Sequence, residues 1–313
     1  MNSEQSDESV LVHLAAGVGN IVLATPLLVA LDEMGFVVDL LLDADYPETA
    51  DLLRDWSVVR TVTDGRARAT ERGDWRFIIP ATPPFYAARF KRLYARRARV
   101  VSRPPDSLFY SNEQDYYLAF ARSIGYPAAN RPACRLPICP SGSFDVTAET
   151  VVLAPGCKTG EMAAKRWPYF TRLAAEFGDV AVVGTPSDLE TPDGSELRFP
   201  AHVRSFAGKL TLRETAELLA SAGAVVGNDS GLSHVAAAVG TPTVMIFGPT
   251  PHSTLGRLPS NVAVVRAGLD CEPCWYTSRF RHCSSRIDCL RELTVATVAA
   301  EVRRILGRSS EVA

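Results

Sequence analysis

Short apolar runs that stop at glycine turns and give way to helical periodicity recur along this chain. Residues 9–16, with Val10, Leu11, Val12 and Leu14, read as a buried strand that ends at Gly17 and Gly19. A helix is expected over Pro26-Leu27-Leu28-Val29-Ala30-Leu31, Gly35 closes it, and residues 36–42 read as the next strand. The alternation restarts further on, with strands over 151–154, 180–183, 224–226 and 243–247 and helices over 169–177, 212–222 and 232–239. Residues 294–306 close the pattern as an amphipathic helix. Units of strand, turn, helix and strand build parallel sheets with right-handed crossovers, and their ligands lie beyond the carboxyl ends of the strands.

A chain of 313 residues exceeds what one hydrophobic core usually fills, so two domains are expected. Pro137, Pro140, Ser141, Gly142 and Ser143 have the composition of a connection. The predicted division is a disordered tail over 1–8, a first domain over 9–140, a linker over 141–149, a second domain over 150–293, and a terminal helix and tail over 294–313. A net charge of −2 supplies no field that would collect nucleic acid, so an anionic partner must meet a local patch. One such patch is the run 89–103, where Arg89, Lys91, Arg92, Arg96, Arg97, Arg99 and Arg103 occur without an acidic residue between them. It reads either as a solvated face or as a seat for an anionic acceptor or anionic lipid. The acidic first eight residues lack the form of a secretory signal, and no apolar run reaches membrane-spanning length. The expected location is therefore the cytoplasm, with any membrane contact peripheral.

The segment Gly227-Asn228-Asp229-Ser230-Gly231-Leu232-Ser233-His234 runs from a strand through a polar turn into an alanine-rich helix. Such a turn aims backbone N–H groups and the positive end of the helix at the mouth of the sheet, where a phosphate binds. Asp229 and Ser230 equally suit plain helix caps. The strand over 151–154 opens into Pro155-Gly156-Cys157-Lys158-Thr159-Gly160 and then Lys165-Arg166-Trp167-Pro168, so a second loop brings cations to the same edge. Backbone donors together with cations suit a diphosphate leaving group. Lys165 by spacing alone also fits a solvated surface position.

These blocks, with residues 17–26 ending in Leu23-Ala24-Thr25-Pro26, residues 208–212, Gly240-Thr241-Pro242 and Phe247-Gly248-Pro249-Thr250, resemble glycosyltransferase family 9, the lipopolysaccharide heptosyltransferases. The resemblance implies an α/β chain of the GT-B fold, two Rossmann-like doubly wound domains facing across a cleft. It implies inverting transfer of a sugar, heptose in this family, from a nucleotide-sugar donor, ADP-linked by preference, to a hydroxyl of a glycan, glycolipid or protein acceptor, with no catalytic cofactor. Carried over by position, donor binding falls to Thr159, Lys165, Asp188, Asp229, Ser230, Gly231 and His234, with Asp188 on the ribose hydroxyls. Acceptor binding falls to Gly19, with Arg89 and Arg92 as further candidates. The family's catalytic aspartate is replaced by Asn20, which cannot take a proton, and His13 on the first strand is a substitute candidate that also reads as a core histidine. This departure keeps a non-catalytic nucleotide-sugar-binding protein open, beside a nucleotide-sugar epimerase on the same fold.

Seven cysteines in a cytoplasmic chain do not imply disulfides. Cys271, Cys274, Cys283 and Cys289 begin with a C-x2-C pair and could hold structural iron or zinc, and related autotransporter heptosyltransferases carry a four-cysteine iron site. The other reading is four thiols that are reduced or adventitiously paired.

Overall fold

The computed structural model describes residues 8–64, 74–87, 94, 99–158, 164–190, 197–275, 277–281, 283 and 287–312. The chain forms two compact units, one of Met1–Pro137 with Ser253–Arg257, the other of Ile138–His252 with Leu258–Ala313. The stretch expected as a linker, 141–149, belongs to the second unit as irregular chain.

In the first unit, β1 (Ser9–Ala16), β2 (Val37–Ala44), β3 (Val59–Asp64) and β4 (Phe77–Ile79) form a parallel sheet in the order β3-β2-β1-β4. β1 is buried along its whole length, which is why its sequence is apolar apart from Ser9 and His13. Two helices follow where one was expected. Val18–Leu23 begins directly after the extended Gly17, and Thr25–Glu33 restarts with Pro26 in its first turn. Leu11, Ala15, Leu41, Ile78 and Tyr94 form a buried cluster on this sheet.

In the second unit, six parallel strands lie in the order β10-β9-β8-β5-β6-β7. Their ranges are β5 Val151–Ala154, β6 Val180–Val182, β7 Arg204–Ser205, β8 Ala224–Asn228, β9 Thr243–Ile246 and β10 Val262–Val265. Valines and alanines from these strands pack with Trp167, Phe170, Leu290, Leu293, Val298 and Val302 in one core. The terminal helix, Val295–Val312, covers this core with its apolar side.

Both sheets reverse direction next to their first strand. In the first the chain builds outward from β1 through β2 and β3 and then returns to place β4 on the other side of β1. In the second it builds from β5 through β6 and β7 and returns to place β8 against β5, with Ala154 opposite Gly227. Loops diverge at such a reversal and leave a crevice beyond the strand ends, the place where open α/β sheets bind ligands. Among the described residues no helix is long and apolar enough to cross a membrane.

Candidate functional site

The loops that leave β5 and β8 meet at the reversal of the second sheet. Asn228, the last residue of β8, is fully buried and joins them: its Oδ1 accepts from the Trp167 backbone N–H at 3.0 Å, and its Nδ2 donates to the Pro155 carbonyl at 2.7 Å. Its own carbonyl accepts from Ser233 Oγ at 2.6 Å. Gly227 is required for this approach, because a methyl group there would collide with Ser233 Oγ. One residue, through its side-chain amide and its backbone carbonyl, thus fixes the β5 loop, the Lys165-Arg166-Trp167 segment and the first turn of the helix Gly231–Ala238 against one another.

Asp229 follows directly. Lys165 Nζ donates to its Oδ2 at 2.6 Å, and His234 Nε2 lies 3.4 Å from its Oδ1. All three side chains are largely buried. Burial alone would push the Asp229 carboxyl up, but the Lys165 charge and the His234 contact outweigh it and hold the group well below the usual carboxylate range. Ser230 occupies the cap position of the helix without a side-chain cap bond, so the alternative reading of Asp229 and Ser230 as ordinary caps does not describe this turn. The first N–H groups of a helix have no partner within it, and this helix starts directly beyond the end of β8. Lys165 Nζ also stands 5.5 Å from the centre of the Trp275 ring, within cation–π range.

Asp188 closes the other side of the β5 loop. Its Oδ2 accepts from the Thr185 N–H at 2.8 Å and Thr185 Oγ1 at 2.9 Å, while Arg166 Nη2 reaches its Oδ1 at 3.5 Å. The carboxyl sits so close to Gly156 that any side chain at 156 would strike it. Arg166 bonds the carbonyls of Cys157, Ser187 and Glu190, so this cation ties the β5 and β6 loops together. Lys165, Asp229, Ser230, Gly231 and His234 therefore share one edge of the second unit, and Asp188 lies at the neighbouring strand end. Thr159 lies outside the described residues.

Sequence reasoning missed three contributors on this edge. Asn228 was visible only as part of a motif, and its clamping role depends on contacts 61 and 73 residues away. Trp275 packs tilted against Phe280 at 4.3 Å between ring centres, and its backbone N–H and that of Cys274 both donate to the Pro249 carbonyl at 2.8 Å. Thr250 Oγ1 is buried with no hydrogen-bond partner among the described residues.

In the first unit, the helix Val18–Leu23 that follows β1 carries Gly19 and Asn20 in its first turn, both half-buried. Asn20 Nδ2 donates to Glu113 Oε1 at 2.6 Å, a contact no pattern in the sequence announced. Ala16, just before the turn, has φ 107°, a conformation that favours glycine and marks stored strain. His13 is fully buried in β1, with Nδ1 2.6 Å from the Tyr94 hydroxyl, as a core histidine. Arg89 and Arg92 lie outside the described residues.

The seven cysteines are not joined in disulfides. Cys274 and Cys289 are buried, whereas Cys271 and Cys283 are exposed. Burial pushes the Cys289 thiol up to about 12, and Glu272 and the other three cysteines add to the shift, so the four thiols lie within electrostatic reach. Among the described residues, however, no group of three or more His, Cys, Asp or Glu side chains is arranged to hold a metal ion.

The profile of glycosyltransferase family 9 (heptosyltransferase) matches residues 114–283. The lipooligosaccharide heptosyltransferase 2 of Haemophilus influenzae is 37% identical over 124 residues, which span 36% of this chain and 35% of that protein. The chain thus matches only about a third of the curated relative's length. Among solved structures, the ADP-heptose lipopolysaccharide heptosyltransferase II of E. coli superposes with a TM-score of 0.71 over 96% of this chain and 99% of that one, at 21% identity. The iron-containing dodecameric glycosyltransferase TibC of enterotoxigenic E. coli gives a TM-score of 0.67 over 97% and 77%, at 19% identity. Together with the two parallel α/β units, these likenesses give the fold as GT-B.

Proposed function

The chain belongs to glycosyltransferase family 9 (heptosyltransferase), and on that premise we propose that it moves a heptose from an ADP-linked donor to a hydroxyl of a bacterial surface glycan, with inversion and without a catalytic metal. The observation that carries this reading is the buried array of Lys165, Asp229 and His234 beside the start of the helix Gly231–Ala238. The donor diphosphate takes the helix N–H groups and the Lys165 ammonium, which together neutralise the charge that grows as it leaves. Asp229 holds Lys165 in place, and His234 and Asp229 offer polar contacts to the sugar. Asp188 accepts from the ribose hydroxyls. Cation and backbone thereby perform the neutralisation that a divalent ion performs elsewhere, and inversion follows from a single direct displacement. Gly19 and Asn20 of the first unit receive the acceptor. A nucleotide-linked donor puts the reaction in the cytoplasm, and a glycolipid acceptor brings the protein to the membrane surface.

Titration calorimetry with ADP, UDP, GDP and dTDP tests the donor site. ADP is expected to bind selectively, with binding weakened at least about tenfold in Lys165→Ala, the loss of one charge-assisted phosphate contact. Absence of binding by any of the four nucleotides would remove the proposal. Asn20 favours a second reading, donor binding without transfer; it is supported if ADP-heptose binds and no acceptor receives sugar.

A further inference from the structure

Transfer to a hydroxyl requires that its proton be removed as the oxygen attacks, and an amide at position 20 cannot accept it. The geometry points to Glu113 as the proton acceptor, its carboxylate held by Asn20 at the chain reversal of the first sheet. The inference rests on the transferase reading above and adds to it the residue that completes the chemistry.

Five observations support it. Asn20 Nδ2 donates to Glu113 Oε1 at 2.6 Å across 93 residues of sequence, so the fold delivers a carboxylate to the one turn where the amide stands. The helix Val18–Leu23 that carries Asn20 follows β1, and β1 and β4 flank the reversal, so half-buried Asn20 stands at the strand end where open α/β sheets bind ligands, with largely buried Glu113 beside it. Glu113 is the first residue of the helix Glu113–Ser123, whose positive end favours the ionised carboxylate. Capping of this helix is done by Asn112, which accepts from the Asp115 N–H at 2.9 Å, so the carboxylate of Glu113 is not spent on it. One turn further, buried Tyr117 donates its phenol to Glu113; burial first, and then the Glu113 charge, push that phenol well above its ordinary range, so it stays a donor.

In the step itself, the acceptor O–H bond breaks and the proton passes to the Glu113 carboxylate. The oxygen forms its bond to the anomeric carbon of the donor sugar, whose bond to the diphosphate oxygen breaks with the electron pair leaving on the nucleoside diphosphate. Glu113 returns its proton to solvent. Asn20 is a positioning residue in this scheme.

The test uses full-length protein, ADP-heptose and a heptose-free lipopolysaccharide stripped of acyl chains, reading ADP release, donor affinity and thermal midpoint. Glu113→Gln is expected to lower kcat by about 10² to 10⁴ with donor affinity and midpoint held, the usual contribution of a general base. Exchanging the two groups in Asn20→Asp/Glu113→Gln keeps one amide donating to one carboxylate, and kcat is expected to recover to within about tenfold of the parent. A Glu113→Gln protein that keeps kcat within about threefold overturns the assignment, as does a folded double variant that stays as slow as the single one. Parent protein that binds ADP-heptose and transfers nothing overturns the transferase reading, and this inference with it.

Discussion

The Lys165 ammonium lies 2.6 Å from the Asp229 carboxylate, joining loops that leave adjacent strands on either side of a chain reversal. Lys165→Met keeps the stem and removes the charge, leaving a buried carboxylate without its main partner, which is expected to cost about 3–5 kcal/mol in urea unfolding at neutral pH. Burial opposes ionisation of Asp229, but Lys165 and then His234 depress its folded-state pKa below the unfolded value of about 3.9. The contribution of the pair is therefore complete above that value and is lost as pH falls through the depressed one. The gap between parent and variant should narrow on acidification; a gap that widens in acid contradicts the assignment.

Gly156 has a different sensitivity. A methyl group there would meet the Asp188 carboxyl, which is held by Thr185 and Arg166. Gly156→Ala should displace Asp188 and weaken ADP by about tenfold while binding of inorganic pyrophosphate, which has no ribose, changes little. Equal loss for both ligands would separate Asp188 from ribose recognition.

Asn20→Asp alone places two carboxylates at the spacing now occupied by an amide and a carboxylate. Like charges so close cannot both ionise freely, so the higher pKa of the pair rises. The acid limb of the pH–rate profile should move to higher pH relative to the parent, as followed by ADP release. A profile that does not move would mean that residues 20 and 113 do not share the acceptor's proton.

Thiol labelling reports on the cysteine cluster. In native protein Cys139, Cys271 and Cys283, which are exposed, should react first, and Cys134, Cys157, Cys274 and Cys289 should react only slowly until the chain unfolds. Burial pushes Cys134 up to about 12, as it does Cys289, which lowers the thiolate fraction of both. Protection of Cys271 and Cys283, but not Cys139, that disappears with a chelator would instead establish a four-thiol metal site.

The strands and helices with continuous apolar runs were legible because a strand buried on both faces needs little beyond such a run, as in residues 9–16 and 151–154. β3, β4, β7 and β10 escaped notice: β4 and β7 are too short for a period, and the intermediate positions of β10 blur its pattern. The edge proposed for the donor was legible as a cluster because its residues lie in compact glycine-rich blocks beside strand ends. Glu113 could not, since its meaning comes from Asn20, and helix Glu113–Ser123 has no special signature at its first residue. Trp275 was overshadowed by its cysteine neighbours, and its place beside Lys165 depends on the backbone hold of Pro249.

The buried side chain of Asn228 has a consequence for how this edge of the second sheet comes apart. Because both ends of its amide are engaged, by Pro155 and by Trp167, the segments around it share a single fastening. Heat or denaturant should release them together, in one cooperative opening seen by hydrogen exchange, and sequence drift in any one of these loops is tolerated only so long as its tie to this amide survives.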